Sequence, residues 1–256
     1  GESPEECMLR EVWEETGYTL TSWQYRGIIT FVLGEDTVEY MSLFTADGFE
    51  GTPIDCNEGV LEWVEKDQIP ELNLWEGDRI FFRLLEEQKE FFSLKLVYNK
   101  QDILEQAVLD AKELELFDIL NEDGSKTGVV KERSVAHREG ALHGTVHIWI
   151  VRENDKSGYD VLLQKRSDNK DSYPGCYDIS SAGHISAGDG VMESALREFE
   201  EELGLSAQPE QLELFGTTLV KFETTFSGKI FRDNELSNDF VYRQPVDIGK
   251  LKLQES

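Results

Sequence analysis

The sequence predicts an α/β protein made of two similar units in tandem. Three observations carry that expectation. First, an arginine-led acidic pattern occurs twice: Arg10 to Tyr18 reads REVWEETGY and Arg197 to Leu205 reads REFEEELGL. Both follow arginine, glutamate, apolar, any residue, glutamate, glutamate, any residue, glycine, apolar. Second, runs rich in β-branched and aromatic residues flank each copy, which reads as strands around a helix. Third, the 256 residues suffice for two compact domains of about 100 to 150 residues each, and 39% hydrophobic with 11% aromatic content supports two cores.

In the first half, Ser3-Pro4-Glu5-Glu6 is a helix start: serine as N-cap, proline at the first helical position, and glutamate three residues after the cap. The helix is expected to run to Thr16, with Gly17 in the left-handed turn that ends it. Arg26 to Leu33 and Glu39 to Thr45 read as strands joined by Gly34-Glu35-Asp36, and Leu61 to Val64 as another strand. Asp78 to Gln88 reads as a helix and Phe91 to Tyr98 as a final strand. Gln101 to Glu115 contains no glycine or proline and has helical composition, so a short, stiff connection is expected there, with the boundary near Ala111 (units 1–111 and 112–256).

In the second half, Leu116 to Leu120 and Thr127 to Val130 read as a hairpin closed at Asn121-Glu122-Asp123-Gly124. Thr145 to Val151 and Asp160 to Lys165 read as strands, and Tyr173-Pro174-Gly175 as a turn before Tyr177 to Ser180. A glycine-rich loop from Gly183 leads into the acidic helix, which stops at Gly204. Leu214 to Thr224 and Asp239 to Arg243 are the last expected strands.

On a helix of about 3.6 residues per turn, Glu198, Glu201 and Glu202 share one face at i, i+3 and i+4, and Glu11, Glu14 and Glu15 do the same. Like charges at these spacings repel by a few tenths of a kcal/mol per pair, so a divalent cation with oxygen ligands is a natural compensator. A solvated acidic face is the alternative. The arginine, the terminal glycine and the upstream loop weigh for the cation.

The net charge of -27 comes from 25 basic and 52 acidic side chains. Split after Lys112, the halves carry 9 − 25 = −16 and 16 − 27 = −11. Such a surface repels nucleic-acid phosphate and anionic membranes, leaving a small substrate that enters with its metal. Cys7, Cys56 and Cys176 are too scattered for a disulfide or zinc framework, and Cys176 reads as a small buried hydrophobe. No membrane-length apolar run or charged leader occurs, so a cytoplasmic location is expected.

These patterns resemble the Nudix hydrolases, whose signature is a glycine, five residues, a glutamate, seven residues, then REUxEExGU with U bulky and apolar. Gly183 is the leading glycine of the second copy, Asp189 stands at the glutamate, and Arg197 to Leu205 complete the box. In the first copy Glu2 takes the glutamate position, and the leading glycine would lie four residues before Gly1. The resemblance implies two tandem Nudix α/β/α sandwiches with mixed sheets. The first is expected to be incomplete at its N-terminus and the second at its C-terminus, as in a piece of a longer protein.

From Gly1 to about Asp110 the chain is similar to the MutT-like diphosphatases of oxidised purine nucleoside triphosphates, through GTPIDCNEGVLEWV, WEGD and FFSLKLVYNKQDILEQ. That likeness implies Glu58 as a further metal carboxylate, Trp75 stacking on the purine and Asp78 reading the base edge. The second half resembles the Nudix branch related to type 1 isopentenyl-diphosphate isomerase, through FDILNEDGSKTG, VAHREGALH, LLQKRS and YPGCYDISSAGH. That branch holds a metal with three histidines, matched by His137, His143 and His184, and two acidic residues; its paired glutamates on a later strand correspond to Ser237 and Asp239, a departure that argues against isomerase chemistry. Ala182 stands at the catalytic cysteine of the isomerase and cannot transfer a proton.

The resemblance implies a metal-dependent Nudix hydrolase. Mg²⁺ or Mn²⁺ on Glu11, Glu14, Glu15 and Glu58, and on Glu198, Glu201 and Glu202, withdraws charge from diphosphate oxygens. A helix glutamate accepts the proton of water, with Glu11, Glu14, Glu198 and Glu201 as catalytic candidates, while Arg10 and Arg197 orient the carboxylates. For the first half the implied reaction converts a nucleoside triphosphate, such as 8-oxo-dGTP, to monophosphate and pyrophosphate. Isomerase-like activity in the second half, or a non-catalytic binding module in either, are the alternatives.

Overall fold

The computed structural model describes residues 1–56, 59–156, 158–168, 174–226 and 229–252. The chain divides into two compact units, Gly1–Leu114 and Glu115–Ser256. Both are mixed α/β, each with a sheet combining parallel and antiparallel strands.

The first unit opens with α1 (Pro4–Thr16), capped as its sequence directs: the Ser3 hydroxyl accepts from Glu6 N at 3.2 Å and the Glu6 carboxylate accepts from Ser3 N at 2.8 Å. Gly17, at φ 75°, closes it. The strands β1 (Tyr18–Leu33) and β2 (Thr37–Gly51) form one long hairpin turning at Gly34 to Asp36. After α2 (Glu76–Glu87), β3 (Phe92–Tyr98) runs parallel to β1, and β4 (Leu104–Leu109) and β5 (Lys112–Glu113) complete a sheet of order β2-β1-β3-β4-β5. Phe92, Leu94, Leu96 and Tyr98 alternate inward to meet Gly77, Ile80 and Leu84 of α2, the period-two and near-period-four stripes that a sheet and a helix bury together.

Two expectations fail in this unit. Leu61 to Val64 is irregular and mostly exposed, not a strand. Gln101 to Glu115 forms β4 and β5 rather than a helical connection. Helical composition loses here to turns with positive φ at Asp102, Asp110 and Ala111, and to burial of Leu104 and Ala107 on one strand face. The compact units part after Leu114, within a few residues of Ala111.

The second unit begins with the hairpin of β6 (Leu116–Leu120) and β7 (Lys126–Glu132), followed by a short helix, α3 (Arg133–Glu139). Its central strand is β8 (His143–Asn154). The expected strand from Asp160 to Lys165 is interrupted: β9 (Gly158–Val161) pairs with the end of β8, and β10 (Gln164–Lys165) turns off to pair with β11 (Tyr177–Asp178). Tyr173 of the expected turn lies outside the described residues. Next come β12 (Ser181–His184), α4 (Val191–Leu203), and a long hairpin of β13 (Leu212–Phe226) and β14 (Lys229–Tyr242). The main sheet has the order β13-β14-β8-β6-β7, with β12 and β9 also on β8 and β14 parallel to it.

Alternation along β8 divides the second unit. Val146, Ile148 and Ile150 pack with Ala195, Phe199 and Leu203 of α4 and with Leu212, Phe240 and Tyr242, forming the core. His143, Thr145 and His147 fall on the opposite parity. No helix among the described residues is long and apolar enough to cross a membrane.

Candidate active site

The two arginine-led boxes build the same ion-pair network. Arg10 contacts Glu2 at 2.9 Å, Glu11 at 2.8 Å and Glu14 at 2.8 Å; Arg197 contacts Asp189 at 3.9 Å, Glu198 at 2.8 Å and Glu201 at 3.5 Å. In each copy the arginine reaches the acid eight residues before it, the next residue, and the one a turn later. Their surroundings differ. No residue of α1 is buried, and Glu2, Glu11 and Glu14 are each close to half exposed. Among the described residues, Glu11, Glu14 and Glu15 belong to no cluster with metal-ligand spacing. Glu58 lies outside the described residues.

Trp75 stands edge-on to Phe31 and Tyr98, with ring centroids 5.7 and 4.9 Å away, and keeps 41% of its surface exposed. Asp78 is the third residue of α2; its carboxylate accepts from Trp75 N at 3.3 Å, and burial raises its pKa. Gly77, beside it, leaves the space taken by the Tyr98 hydroxyl: a Cβ there would lie 2.5 Å from that oxygen and 2.4 Å from Leu96 Cδ1.

In the second unit a polar cleft of about 380 Å³ opens between β8, β12, β14 and α4. It is lined by Glu198, Glu202, Glu235, Glu115, Arg133, Arg166, His147 and His184, with Thr145, Ala182 and Gly183 in its wall. Glu198 and Glu202 turn inward. Glu202 accepts from Ala182 N at 3.0 Å, and the Glu198 side chain is 13% exposed. Glu201, which shares the helix face in sequence, is 51% exposed, stays with Arg197 and does not line the cleft. Burial, ahead of the neighbouring Arg197, Glu202, Glu201 and Glu115 charges, moves the Glu198 pKa up to about 7.

The leading glycine of the box has a physical reason. A Cβ on Gly183 would sit 2.0 Å from Glu198 Cδ and 2.3 Å from Glu198 Oε2, so only glycine lets this carboxylate lie against the β12 backbone. Gly183→Ala is therefore expected to keep the fold, by circular dichroism, while displacing Glu198. An ångström of misplacement can cost about 10²-fold in kcat/KM, and steady-state kinetics of the variant checks this.

Beside the cleft, the structure brings together His137 of α3, His143 of β8 and His184 of β12, whose ring nitrogens lie within 4.8 Å of one another; Asp233 and Glu235 of β14 join His143 in a second group with the same limit. His143 Nδ1 lies 2.8 Å from Ala141 O and His137 Nδ1 3.3 Å from Arg232 O, which points each Nε2 inward. The Nε2 atoms of all three rings, and Asp233 Oδ1, are buried with no hydrogen-bond partner. Glu235 Oε1 is 3.7 Å from His143 Nε2 and 3.4 Å from His184 Nε2. Ligand atoms about 2.1 Å from a common ion stand about 3.0 to 3.4 Å apart when adjacent, so the donor set fits a divalent metal. Burial, with His143 and His184 alongside, lowers the His137 pKa to about 4, so its lone pair is free at neutral pH. Burial opposes ionisation of Glu235, but His143 and His184 outweigh it and hold its pKa well below the usual range; Asp233 moves up through burial and the Glu235 charge.

Ser237 and Asp239, set against the paired glutamates of the isomerase branch, are not the acids beside these histidines; Asp233 and Glu235 are. Alternation along β14 puts Asp233, Glu235, Ser237 and Asp239 on one face, but the register pairs Glu235 with His143 and Asp239 with His147, so the first two meet the histidines. The polar alternation of DNELSND was the signal in the sequence. Glu115, Arg133, Arg166 and His147 gave none, because strand pairing, not spacing, brings them to the cleft. Cys176, read as a buried hydrophobe, is exposed in the turn before β11.

The NUDIX domain family model matches residues 1–85 and 141–256, more than half of the chain. Nudix hydrolase 3 of Arabidopsis thaliana is 44% identical over 143 residues, 55% of this chain and 18% of that protein. An uncharacterised Nudix hydrolase of Clostridium acetobutylicum is 35% identical over 142 residues, 56% of this chain and 66% of its own length. The chain thus spans less than two thirds of either. An oxidized purine nucleoside triphosphate hydrolase of Danio rerio is 31% identical over 114 residues, 44% of this chain and 72% of that protein. Among solved structures, a MutT protein from Bacillus halodurans superimposes with a TM-score of 0.41 at 30% identity, covering 43% of this chain and 75% of that one. With the doubled box and the family match over both segments, the chain belongs to the Nudix hydrolase family.

Proposed function

We propose that the chain carries two Nudix units in tandem and that the cleft of the second hydrolyses a diphosphate-linked small molecule with a divalent metal. One observation carries this reading: three imidazoles and an aspartate present buried atoms without hydrogen-bond partners in two groups that share His143, at the edge of a cleft that also holds Glu198 and Glu202. His137, His143, His184, Asp233 and Glu235 would hold one ion, and Glu198 with Glu202 would hold Mg²⁺ or Mn²⁺. Bound there, a divalent ion supplies charge withdrawal from the diphosphate oxygens. Arg133 and Arg166 face the same cleft and offer cationic contacts to phosphate, although each also pairs with a carboxylate, Glu115 at 2.7 Å and Asp178 at 2.9 Å. Ala182 removes the proton donor that isomerisation needs, which favours hydrolysis over that alternative.

For the first unit we propose hydrolysis of an oxidised purine nucleoside triphosphate to monophosphate and pyrophosphate, with Glu11, Glu14, Glu15 and Glu58 as metal carboxylates and Arg10 orienting them. Trp75 would stack on the base and Asp78, protonated more readily through its burial, would read its edge. The likeness to the zebrafish enzyme supports this.

The test is phosphate and pyrophosphate release, with Mg²⁺, from 8-oxo-dGTP, dGTP and a panel of nucleoside diphosphate sugars, comparing the whole chain with Glu14→Gln and Glu198→Gln. Loss of 8-oxo-dGTP turnover with Glu14→Gln, and of a second substrate with Glu198→Gln, supports the reading. Turnover indifferent to both variants overturns it.

Glu198 also gives a stability signature. Its folded pKa, about 7 without metal, lies above the unfolded value, so its contribution is present below about pH 4.5 and is lost as pH rises through 7. In chelator, the wild-type chain is expected to lose stability relative to Glu198→Gln across that window, on the order of 3 kcal/mol. Thermal melts of both proteins across pH measure it.

A further inference from the structure

We infer that His147, held by Asp239, is the proton acceptor of the second unit's cleft; this rests on the hydrolytic reading above. His147 is the one histidine in the chain outside the triple-imidazole cluster. Its Nδ1 lies 3.1 Å from Asp239 Oδ1. That carboxylate is fixed on both oxygens: Thr218 Oγ1 donates to Oδ2 at 2.7 Å, and Ser237 Oγ donates to Oδ1 at 3.1 Å. A carboxylate only accepts, so the imidazole must place its proton on Nδ1, which leaves the Nε2 lone pair outward. His147 lines the cleft with Glu198 and Glu202.

The register explains how this pair is built. Residue 147 of β8 is flanked by Asp239 of β14 on one side and by Ala182 of β12 on the other. Ala182 is small, so the imidazole meets no bulky side chain from that strand. A nucleophile or base oriented by a third group through the ring's far nitrogen is a recurrent catalytic arrangement. The helix carboxylates are poorer candidates for the same task, because once Glu198 and Glu202 hold an ion their lone pairs are engaged.

In the step, a water oxygen forms a bond to phosphorus as the bond from phosphorus to the bridging oxygen breaks. One water proton passes to His147 Nε2, the other stays on the new phosphate, and the bridging oxygen leaves with the electron pair. The imidazolium that forms keeps its Nδ1 proton on Asp239 and returns the other to solvent. The charged groups around it are Asp239 and Glu235 of β14, Glu198 and Glu202 of α4, and Glu115, Arg133, Arg166 and His184 at the cleft rim.

Two measurements test the inference. In ¹⁵N-histidine spectra of the whole chain with Mg²⁺, His147 is expected as the Nδ1-protonated tautomer, with its Nε2 resonance moved by magnesium pyrophosphate; Asp239→Asn should release the tautomer. An Nε2-protonated ring, or one blind to pyrophosphate, overturns the inference whatever the substrate. In kinetics on the substrate lost with Glu198→Gln, His147→Gln is expected to lower kcat by about 10² to 10⁴-fold with KM little changed. Asp239→Asn should lower kcat with KM little changed, and Asp239→Glu should restore part of the rate. If His147→Gln keeps wild-type kcat while Glu198→Gln does not, the inference fails and the hydrolytic reading stands. If Glu198→Gln is also inert, the hydrolytic reading itself fails.

Discussion

Replacing Glu198 with glutamine is expected to remove metal-supported turnover by the second unit, with kcat/KM falling on the order of 10³-fold, the equivalent of several kcal/mol of charge stabilisation. The substitution keeps the shape of the side chain against Gly183 and removes only its charge. Folding should not suffer. Because burial already holds the Glu198 pKa at about 7, a neutral side chain relieves a cost that Arg197 only partly offsets in the metal-free protein. Loss of activity together with equal or higher stability in chelator is the paired outcome to look for. A variant that is inactive and also less stable at neutral pH would instead point to a structural role for the Arg197–Glu198 contact. That contact is partly exposed, so its contribution to stability is expected to be small.

Removing His143 is expected to have the largest effect on metal content. Its ring is fully buried, stacked on Phe117 with centroids 4.7 Å apart, and its Nε2 faces Glu235 without a hydrogen bond. His143→Gln should lower affinity for Zn²⁺, Co²⁺ or Mn²⁺ at this centre by more than about 10²-fold, since even an outer-shell partner of a metal ligand is worth 10- to 100-fold. His184→Gln, at the cleft edge and less buried, serves as the second variant should the first misfold. Equilibrium dialysis followed by elemental analysis reads the outcome, and Glu14→Gln should leave this centre unchanged. Retention of the ion by both histidine variants would show that the cluster is held by packing and hydrogen bonds alone.

Both site predictions depend on how residues far apart in sequence meet. The box helix was legible because its content is local: capping at Ser3, the glycine stops at Gly17 and Gly204, and the arginine with its glutamates all act within one or two turns. The same local logic overreached at Glu201. Sequence spacing assigns it to a face with Glu198 and Glu202, but Glu201 stays with Arg197, half exposed, off the cleft. Strand existence along β1, β3 and β8 was readable from apolar runs; of β14 only the end from Asp239 was, because the preceding stretch is mostly polar. The β4 and β5 strands were not, since LEQAVLDAKELE has helical composition and only the turns at Asp102 and Ala111 make it a hairpin. Asp233 and Glu235 were missed for a related reason. A register four residues away on β14 keeps the same face, so alternation alone could not say which acids meet the histidines.

The central claim is that the second unit's cleft hydrolyses a diphosphate bond. The most direct measurement is oxygen-18 incorporation. The whole chain is incubated with divalent metal in H₂¹⁸O with the nucleoside diphosphate panel and, separately, with isopentenyl diphosphate, and products are weighed by mass spectrometry. One ¹⁸O in a phosphate product, absent with Glu198→Gln, is the predicted result. An isomerised diphosphate without ¹⁸O, or no product from any substrate at any metal, would contradict it.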